Sequence, residues 1–317
     1  MRIGFGLSSE EYRPQELVEQ AKLAQEAGFA ALWISDHYHP WNDAQGQSPF
    51  VWSTIGALSQ VTDLPIMTAV TCPTVRIHPA VIAQAAATAA AMTGGKFVLG
   101  VGSGEALNEH ILGDHWPPAP KRLEMLEEAV DVMRKLWQGG SVTHYGTHYT
   151  VENARIYTLP EEPVPVYVSG FGPRATDLAA RIGDGFISVQ PNAEAVEQFR
   201  TSSGGKPAVA GAKSCYAPTE PEARRIAHEL WANEGVPGEL AQILPTPQHF
   251  EQASQLVTED MIKMACGPDP DAHLAMVQEY EKAGYDTLYV APVGPHYREM
   301  IELYRDHVLQ RTSQTTA

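Results

Sequence analysis

Two short stretches hold the residues best suited to chemistry. Leu32–Trp41 passes from an apolar run into a polar, aromatic cluster of Asp36, His37, His39 and Trp41, and Gly102–Glu109 follows a glycine-rich turn with Glu105, Asn108 and Glu109. An apolar run that ends in polar residues is the pattern of a parallel strand whose carboxyl end opens onto a site. An imidazole near neutral pKa, with carboxylates at hand, suits general acid–base work. If the strand ends form a ring, His37 faces Glu105 across part of a mouth and Glu10 lies beside it. Trp41 then stacks on a flat ligand or walls off a sugar-sized one. A lone histidine at a strand end is more often structural than catalytic; Asp36, Glu105 and Trp41 at matching strand ends favour the catalytic reading. Glu11, Asp43 and Glu109 read as solvated or capping charges, and His110, His115, His144 and His148 as surface residues.

A metal site has to be weighed, because His37-x-His39 is part of a metallohydrolase pattern. That reading needs ligands from other strand ends. Ser169-Gly170 and Val189-Gln190 supply none, so no metal is expected. The loop Ser169-Gly170-Phe171-Gly172-Pro173-Arg174 opens a helix pattern, and free N–H groups there could cradle a phosphate. A plain tight turn fits the same residues equally well. Gly100-x-Gly102-x-Gly104 is a weaker sign that a flat ring lies against a strand.

These residues need a scaffold that gathers strand ends. Apolar runs at Ile3–Leu7, Ala31–Ser35, Ile66–Thr71, Phe97–Val101, Val166–Ser169, Gly185–Val189, Ala208–Tyr216 and Thr287–Ala291 read as strands. Helix patterns follow them at Pro14–Ala27, Phe50–Val61, Ala80–Met92, Lys121–Trp137, Arg174–Arg181, Ala193–Phe199, Pro221–Asn233, Asp271–Gly284 and His296–Leu309. Val142–Tyr157 reads as an added hairpin, and Gly235–Val257 as a proline-bearing insertion with one short helix. Eight alternating strands predict an α/β fold, a (β/α)8 TIM barrel of one domain over residues 1–317, with insertions after strand four (105–160) and before strand eight (235–263). The alternative is an open doubly wound sheet. The barrel is preferred because the phosphate-type loop follows strand five, whereas a dinucleotide fold carries it after strand one.

Composition narrows the partners. A formal charge of −16 disfavours a nucleic-acid partner, whose phosphates would be repelled. No apolar run reaches the ~20 residues of a membrane helix, and the first residues enter a strand pattern without a leader, so a cytoplasmic protein is expected. Three scattered cysteines, Cys72, Cys215 and Cys266, form no framework. Only the polar tail Arg311–Ala317 has biased composition.

Taken together, Ser35-Asp36-His37-x-x-Pro40-Trp41, Gly100–Glu109 and Gly170-x-Gly172-Pro173 resemble the luciferase-like superfamily. The chain is most similar to its coenzyme F420-dependent glucose-6-phosphate dehydrogenase family, including Thr71-x-Pro73-Thr74 and Pro79–Gln84. The resemblance implies a (β/α)8 barrel, a homodimer, and transfer of a hydride from a substrate carbon to C5 of the deazaflavin. It implies His37 as base, Trp41 and Glu10 as its partners at the reacting centre, and Glu105 as the carboxylate serving the N1 side of the ring. Asp36, Asn108, Ser169, Gly170, Phe171 and Gly172 match coenzyme contacts, and Ala69-Val70 matches a bulge with a non-proline cis bond. The family's glucose-6-phosphate enzymes hold the substrate's phosphate with two lysines and an arginine. The matching positions here are Asn192, Leu240 and Lys263, so one cation remains of three. A phosphate without its partners loses ~1.5–3 kcal/mol per charge-assisted hydrogen bond, which points to a neutral sugar, another alcohol or a differently placed phosphate. The alternatives are an FMN-dependent monooxygenase of the same superfamily, or a coenzyme-binding barrel without turnover.

Overall fold

The computed structural model describes residues 1–313. Positions 314–317 of the polar tail Arg311–Ala317 lie outside them. Eight parallel strands close into a barrel: β1 (Arg2–Leu7), β2 (Leu32–Ile34), β3 (Ile66–Thr68), β4 (Phe97–Val101), β5 (Val166–Ser169), β6 (Gly185–Ser188), β7 (Ala208–Cys215) and β8 (Thr287–Pro292). They pair in sequence order, and β8 returns to β1 with Ile3 opposite Leu288. Sequential parallel pairing that closes on itself is the (β/α)8 arrangement, and the open-sheet alternative falls.

The barrel is filled rather than hollow. Ala31, Trp33, Met67, Val70, Val98, Tyr167, Ile187, Val209 and Tyr289 form its inner cluster, with Trp33 and Tyr289 stacked at 5.0 Å. Glycines make room for these rings. A Cβ on Gly211 would stand 1.8 Å from the Trp33 ring, and one on Gly4 would stand 2.4 Å from Tyr289. Helices cover the outside, and several begin where a proline sits at the first turn, as at Pro14, Pro79, Pro173 and Pro270. Proline is suited there because its missing N–H has no helical partner in any case.

Several expectations are corrected. The strand expected over Ile66–Thr71 stops at Thr68, and the peptide bond Ala69–Val70 that follows is cis. Thr71 regains only a bridge to Val101. The helix at Ala119–Trp137, expected within the insertion over 105–160, packs between the helices Pro79–Met92 and Pro173–Ile182 and so completes the barrel's own outer ring. Of the first insertion, what is added to the repeat is the short helical turns Ala106–Leu112 and the antiparallel hairpin Val142–Tyr145/Thr150–Ala154. The second insertion holds more than one short helix: Leu240–Ile243, Pro247–Ser254 and a turn at Glu259–Met261, followed by a short strand, Ala265–Cys266, on the end of β7. The final helix is broken by a π-helical stretch, Tyr304–Val308, that buries Tyr304 against Phe29.

Candidate active site

The carboxyl ends of β1, β2 and β4 bring three expected residues together. His37 Nε2 lies 3.5 Å from Glu10 Oε1 and 3.8 Å from Glu105 Oε2. Its Nδ1 sits 3.1 Å from the His39 carbonyl oxygen. A carbonyl only accepts, so Nδ1 carries the proton and a neutral ring presents its lone pair at Nε2. Glu10 is held just as firmly: Ser35 Oγ and Ser8 Oγ both donate to its Oε2, at 2.7 and 3.1 Å, which leaves Oε1 to face the imidazole. The Trp41 ring closes one side of His37 at 5.0 Å and is itself backed by Phe250, also at 5.0 Å, from the second insertion. Burial pushes the Glu105 carboxyl up, Glu10 adds to the effect and His37 opposes it. Three-tenths of the Glu105 side chain still meets solvent, so it remains reachable from the mouth.

Residues expected to touch a coenzyme divide into two groups. Asp36 and Asn108 use their side chains on the protein. Asp36 accepts from Thr71 Oγ1 at 2.8 Å and from Arg76 at 2.9 Å, and Asn108 Oδ1 accepts from the backbone N–H groups of Tyr38 and His39 at 2.9 and 3.2 Å. Val70, Gly102 and the Ser169–Gly172 loop remain free to line the mouth. Val70 stands on the bulge above the inner cluster, so close that a Cβ on Gly102 would lie 2.7 Å from its Cγ2. Gly172 caps the helix Pro173–Ile182 without any side-chain cap, and a Cβ there would meet nothing within 4 Å. Open space and uncapped N–H groups at a helix N-terminus fit a phosphate-bearing ligand. Phe171 beside it is exposed. An anionic, flat coenzyme therefore fits the residues present.

The three residues at the matched phosphate positions do not converge on His37 as cations. Asn192 Oδ1 caps the helix Ala193–Ser203, accepting from Ala195 N at 3.1 Å. Leu240 is a partly exposed apolar residue in the second insertion. Lys263 Nζ donates to the Asp260 carbonyl at 3.1 Å and lines a surface groove with Arg224, Glu259 and Ile262 that none of the mouth residues shares.

Sequence reading missed or misjudged several groups. Glu109 is not solvated: its side chain is 1% exposed, and it binds Arg76 through both the guanidinium and the backbone N–H. Glu11 is not solvated either, since it accepts from the Trp231 indole and from Gly294 N at 2.8 Å. Burial, with help from Glu10, pushes its carboxyl up to about 7 against the pull of those donors and Lys213. Arg76 was overlooked, because an arginine between Val75 and Ile77 carries no motif; its signal was two carboxylates, Asp36 and Glu109, in need of a cation. Lys213 was overlooked as well. The period-two alternation from Val209 and Gly211 turns it inward on β7, where its Nζ is neutralised by Glu234 at 2.6 Å and lies 3.9 Å over Trp231. His144 and His148 are mostly buried rather than surface residues; His144 pairs with Glu128 at 3.1 Å.

A family model described as luciferase-like monooxygenase matches residues 1–287. The chain belongs to the luciferase-like family. Among curated members, the F420-dependent glucose-6-phosphate dehydrogenase of Microbacterium testaceum is 34% identical over 327 residues, covering 98% of this chain and 97% of the relative. A similar solved structure is an F420-dependent secondary alcohol dehydrogenase in complex with an F420–acetone adduct. It superposes with a TM-score of 0.91 at 31% identity, covering 97% of this chain and 98% of that one. The F420-dependent tetrahydromethanopterin reductase of Methanopyrus kandleri shares the fold, with a TM-score of 0.78 at 21% identity over 98% of this chain and 99% of that one.

Proposed function

We propose that this luciferase-like protein is a coenzyme F420-dependent oxidoreductase acting on an uncharged alcohol or sugar hemiacetal. The observation that carries the reading is the approach of two carboxylates, Glu10 and Glu105, to the one free nitrogen of His37. Both relatives described above at more than 30% identity bear F420-dependent names. The deazaflavin, when bound, supplies the hydride acceptor, and in the reverse direction the donor. Val70 on its bulge would support the ring, and the backbone of Phe171 and Gly172, at the start of the helix Pro173–Ile182, would hold the phosphate. His37 Nε2 takes the hydroxyl proton as the carbon–hydrogen bond is given up, and Glu10 Oε1 stabilises the imidazolium that forms. Glu105, whose carboxyl is pushed up by burial, would face the ring from the end of β4. Trp41 and Phe250 exclude water and offer the substrate an apolar wall.

The uncharged substrate is supported by what stands at the phosphate positions: a capping asparagine, a leucine and a lysine turned to a separate groove. Lys213 is already neutralised by Glu234. A single-domain, cytoplasmic homodimer belongs to the same reading. No described helix is long and apolar enough to cross a membrane, and Phe50, Val81 and Met92 leave an apolar face exposed on adjacent helices. The test is incubation with F420 and a panel of secondary alcohols, neutral sugars and glucose 6-phosphate, following coenzyme absorbance. Uncharged substrates should be oxidised in preference to the phosphate. Failure to bind F420, or tight binding of FMN in its place, sinks the reading.

A further inference from the structure

Three strand ends have to agree for this site to exist: the turn after β2 carries His37, the turn after β3 carries Val70, and the turn after β4 carries Glu105. One buried network ties them. Asp36, adjacent to His37, accepts from Thr71 Oγ1, next to Val70, at 2.8 Å. The same carboxylate accepts from Arg76 Nη2 at 2.9 Å, and Arg76 reaches on to Glu109, one helical turn beyond Glu105, through Nε at 3.3 Å and its backbone N–H at 2.8 Å. Side chains of Asp36, Glu109 and Arg76 are 0%, 1% and 6% exposed. Asn108, beside Glu109, then holds the backbone of Tyr38 and His39.

We propose that Arg76 is the positioning residue of the active site: its guanidinium, spanning Asp36 and Glu109, sets the separation of His37 from Glu105. The inference rests on the function proposed above only for its kinetic arm. A guanidinium is planar and offers donors in two directions at once, whereas an ammonium is a point donor on a flexible stem. A lysine at this position would keep the charge, but its donors all leave from one nitrogen, so it would not hold the two carboxylates at the separation set by Nε and Nη2. The loops bearing His37 and Glu105 would then lose their common reference, and misplacement of reacting groups by about 1 Å lowers turnover on the order of a hundredfold.

The deciding variant is Arg76→Lys, with Arg76→Gln as companion, each made in the full chain. The kinetic arm expects Arg76→Lys to lower kcat by about tenfold to a hundredfold with KM for the alcohol changed by less than about threefold, since positioning acts on the reacting geometry. Arg76→Gln should lose more than Arg76→Lys. The activity-independent arm is a crystal structure of coenzyme-free Arg76→Lys, in which the His37 Nε2–Glu105 Oε2 separation should depart from 3.8 Å while the barrel strands superpose on wild type. Wild-type kcat in Arg76→Lys overturns the proposal, and so does an unmoved His37–Glu105 pair. Should Arg76→Gln fail to fold, Arg76→Lys, which keeps the buried charge balanced, decides alone. If the wild-type protein turns over nothing with F420, the function reading falls, and the crystal structure of Arg76→Lys still decides whether Arg76 sets the His37–Glu105 separation.

Discussion

The two sides of the barrel mouth are built on opposite terms. Around the ends of β2, β3 and β4 the side chains of Asp36, Arg76 and Glu109 are buried, and Arg76 pairs with both carboxylates. At the ends of β6 and β7, and in the insertion before β8, Asn192, Leu240 and Lys263 serve a helix cap, a partly exposed patch and a surface groove. The first side holds fixed charges whose geometry is over-determined; the second is lightly tied and chemically plain. Catalytic groups gain from a rigid frame because reactivity depends steeply on placement, whereas a specificity wall needs only shape and the absence of unpaired charge. A barrel in which chemistry stays on one side can change substrate on the other at little cost to the reaction.

The strongest way to break that contrast is to remove the imidazole proposed as base. His37→Asn should lower kcat by about a hundredfold to ten-thousandfold, the range for loss of a general base, with affinity for F420 little altered. Stopped-flow reduction and a fluorescence titration measure the two. Equal loss of both would mean that His37 belongs to coenzyme binding and that the mouth does not divide as described. Next in size is Glu109→Ala, which leaves Arg76 paired with Asp36 alone in a buried setting. Losing its charge-assisted hydrogen bonds to Glu109 should cost ~1.5–3 kcal/mol, visible in urea unfolding. A loss below about 1 kcal/mol, the range of an exposed pair, would show that the network is wetter than its burial indicates.

How far the sequence foretold these two sides follows from the range of the forces involved. The convergence of His37, Glu10, Glu105 and Trp41 was legible, because strand-end position follows from local pattern and the closed barrel then gathers strand ends by geometry. The helix start at Pro14 was legible for a similarly local reason, and the starts expected at Ala80, Arg174 and Asp271 fall one residue earlier, on Pro79, Pro173 and Pro270. Arg76, Glu11 and Glu109 were not. Their roles depend on partners 33 or more positions away, as in Arg76 with Glu109 and Glu11 with Trp231, and no spacing rule marks such pairs. The bulge at Val70 came from family resemblance; the run Ile66–Thr71 by itself reads as uninterrupted strand, and the structure ends it three residues early. The helix Ala119–Trp137 was recognised as a helix but put in the wrong layer, since amphipathicity says that one face is buried and not against what.

Glu11 lies at the seam, bonded to Trp231 and to Gly294 beyond β8, and it gives a pH-dependent probe of the comparison. Its carboxyl is pushed from 4.5 to about 7 by burial. Between those values the folded chain keeps a proton that the unfolded chain has lost, so Glu11 makes stability fall as pH rises from about 4.5 to about 7, and it contributes no further slope above. Glu11→Gln should remove that decline, worth on the order of 2 kcal/mol, when urea unfolding of variant and wild type is compared at pH 5 and pH 8. Glu105 and Glu109 slope the same way in both proteins, so the difference isolates Glu11. A variant that parallels wild type at both pH values would mean that Glu11 is ionised and hydrated in the fold.

The smallest effects belong to the lightly tied side, and their smallness is the point. Lys263→Ala removes the one cation left at a matched phosphate position, yet its ammonium bonds only the Asp260 carbonyl in a groove apart from His37. Turnover of an uncharged alcohol should stay within about twofold and stability within about 0.5 kcal/mol, as for an exposed side chain free of special contacts. Asn192→Ala should cost ~1 kcal/mol through loss of its cap on Ala193–Ser203, with kcat unchanged, because a cap acts on the helix and not on the mouth. The pair distinguishes two uses of one region. If Lys263→Ala instead raised KM for the preferred substrate tenfold, the lysine would be reaching an anionic group in the complex. The substrate would then carry a charge that this side of the mouth is otherwise poorly equipped to hold.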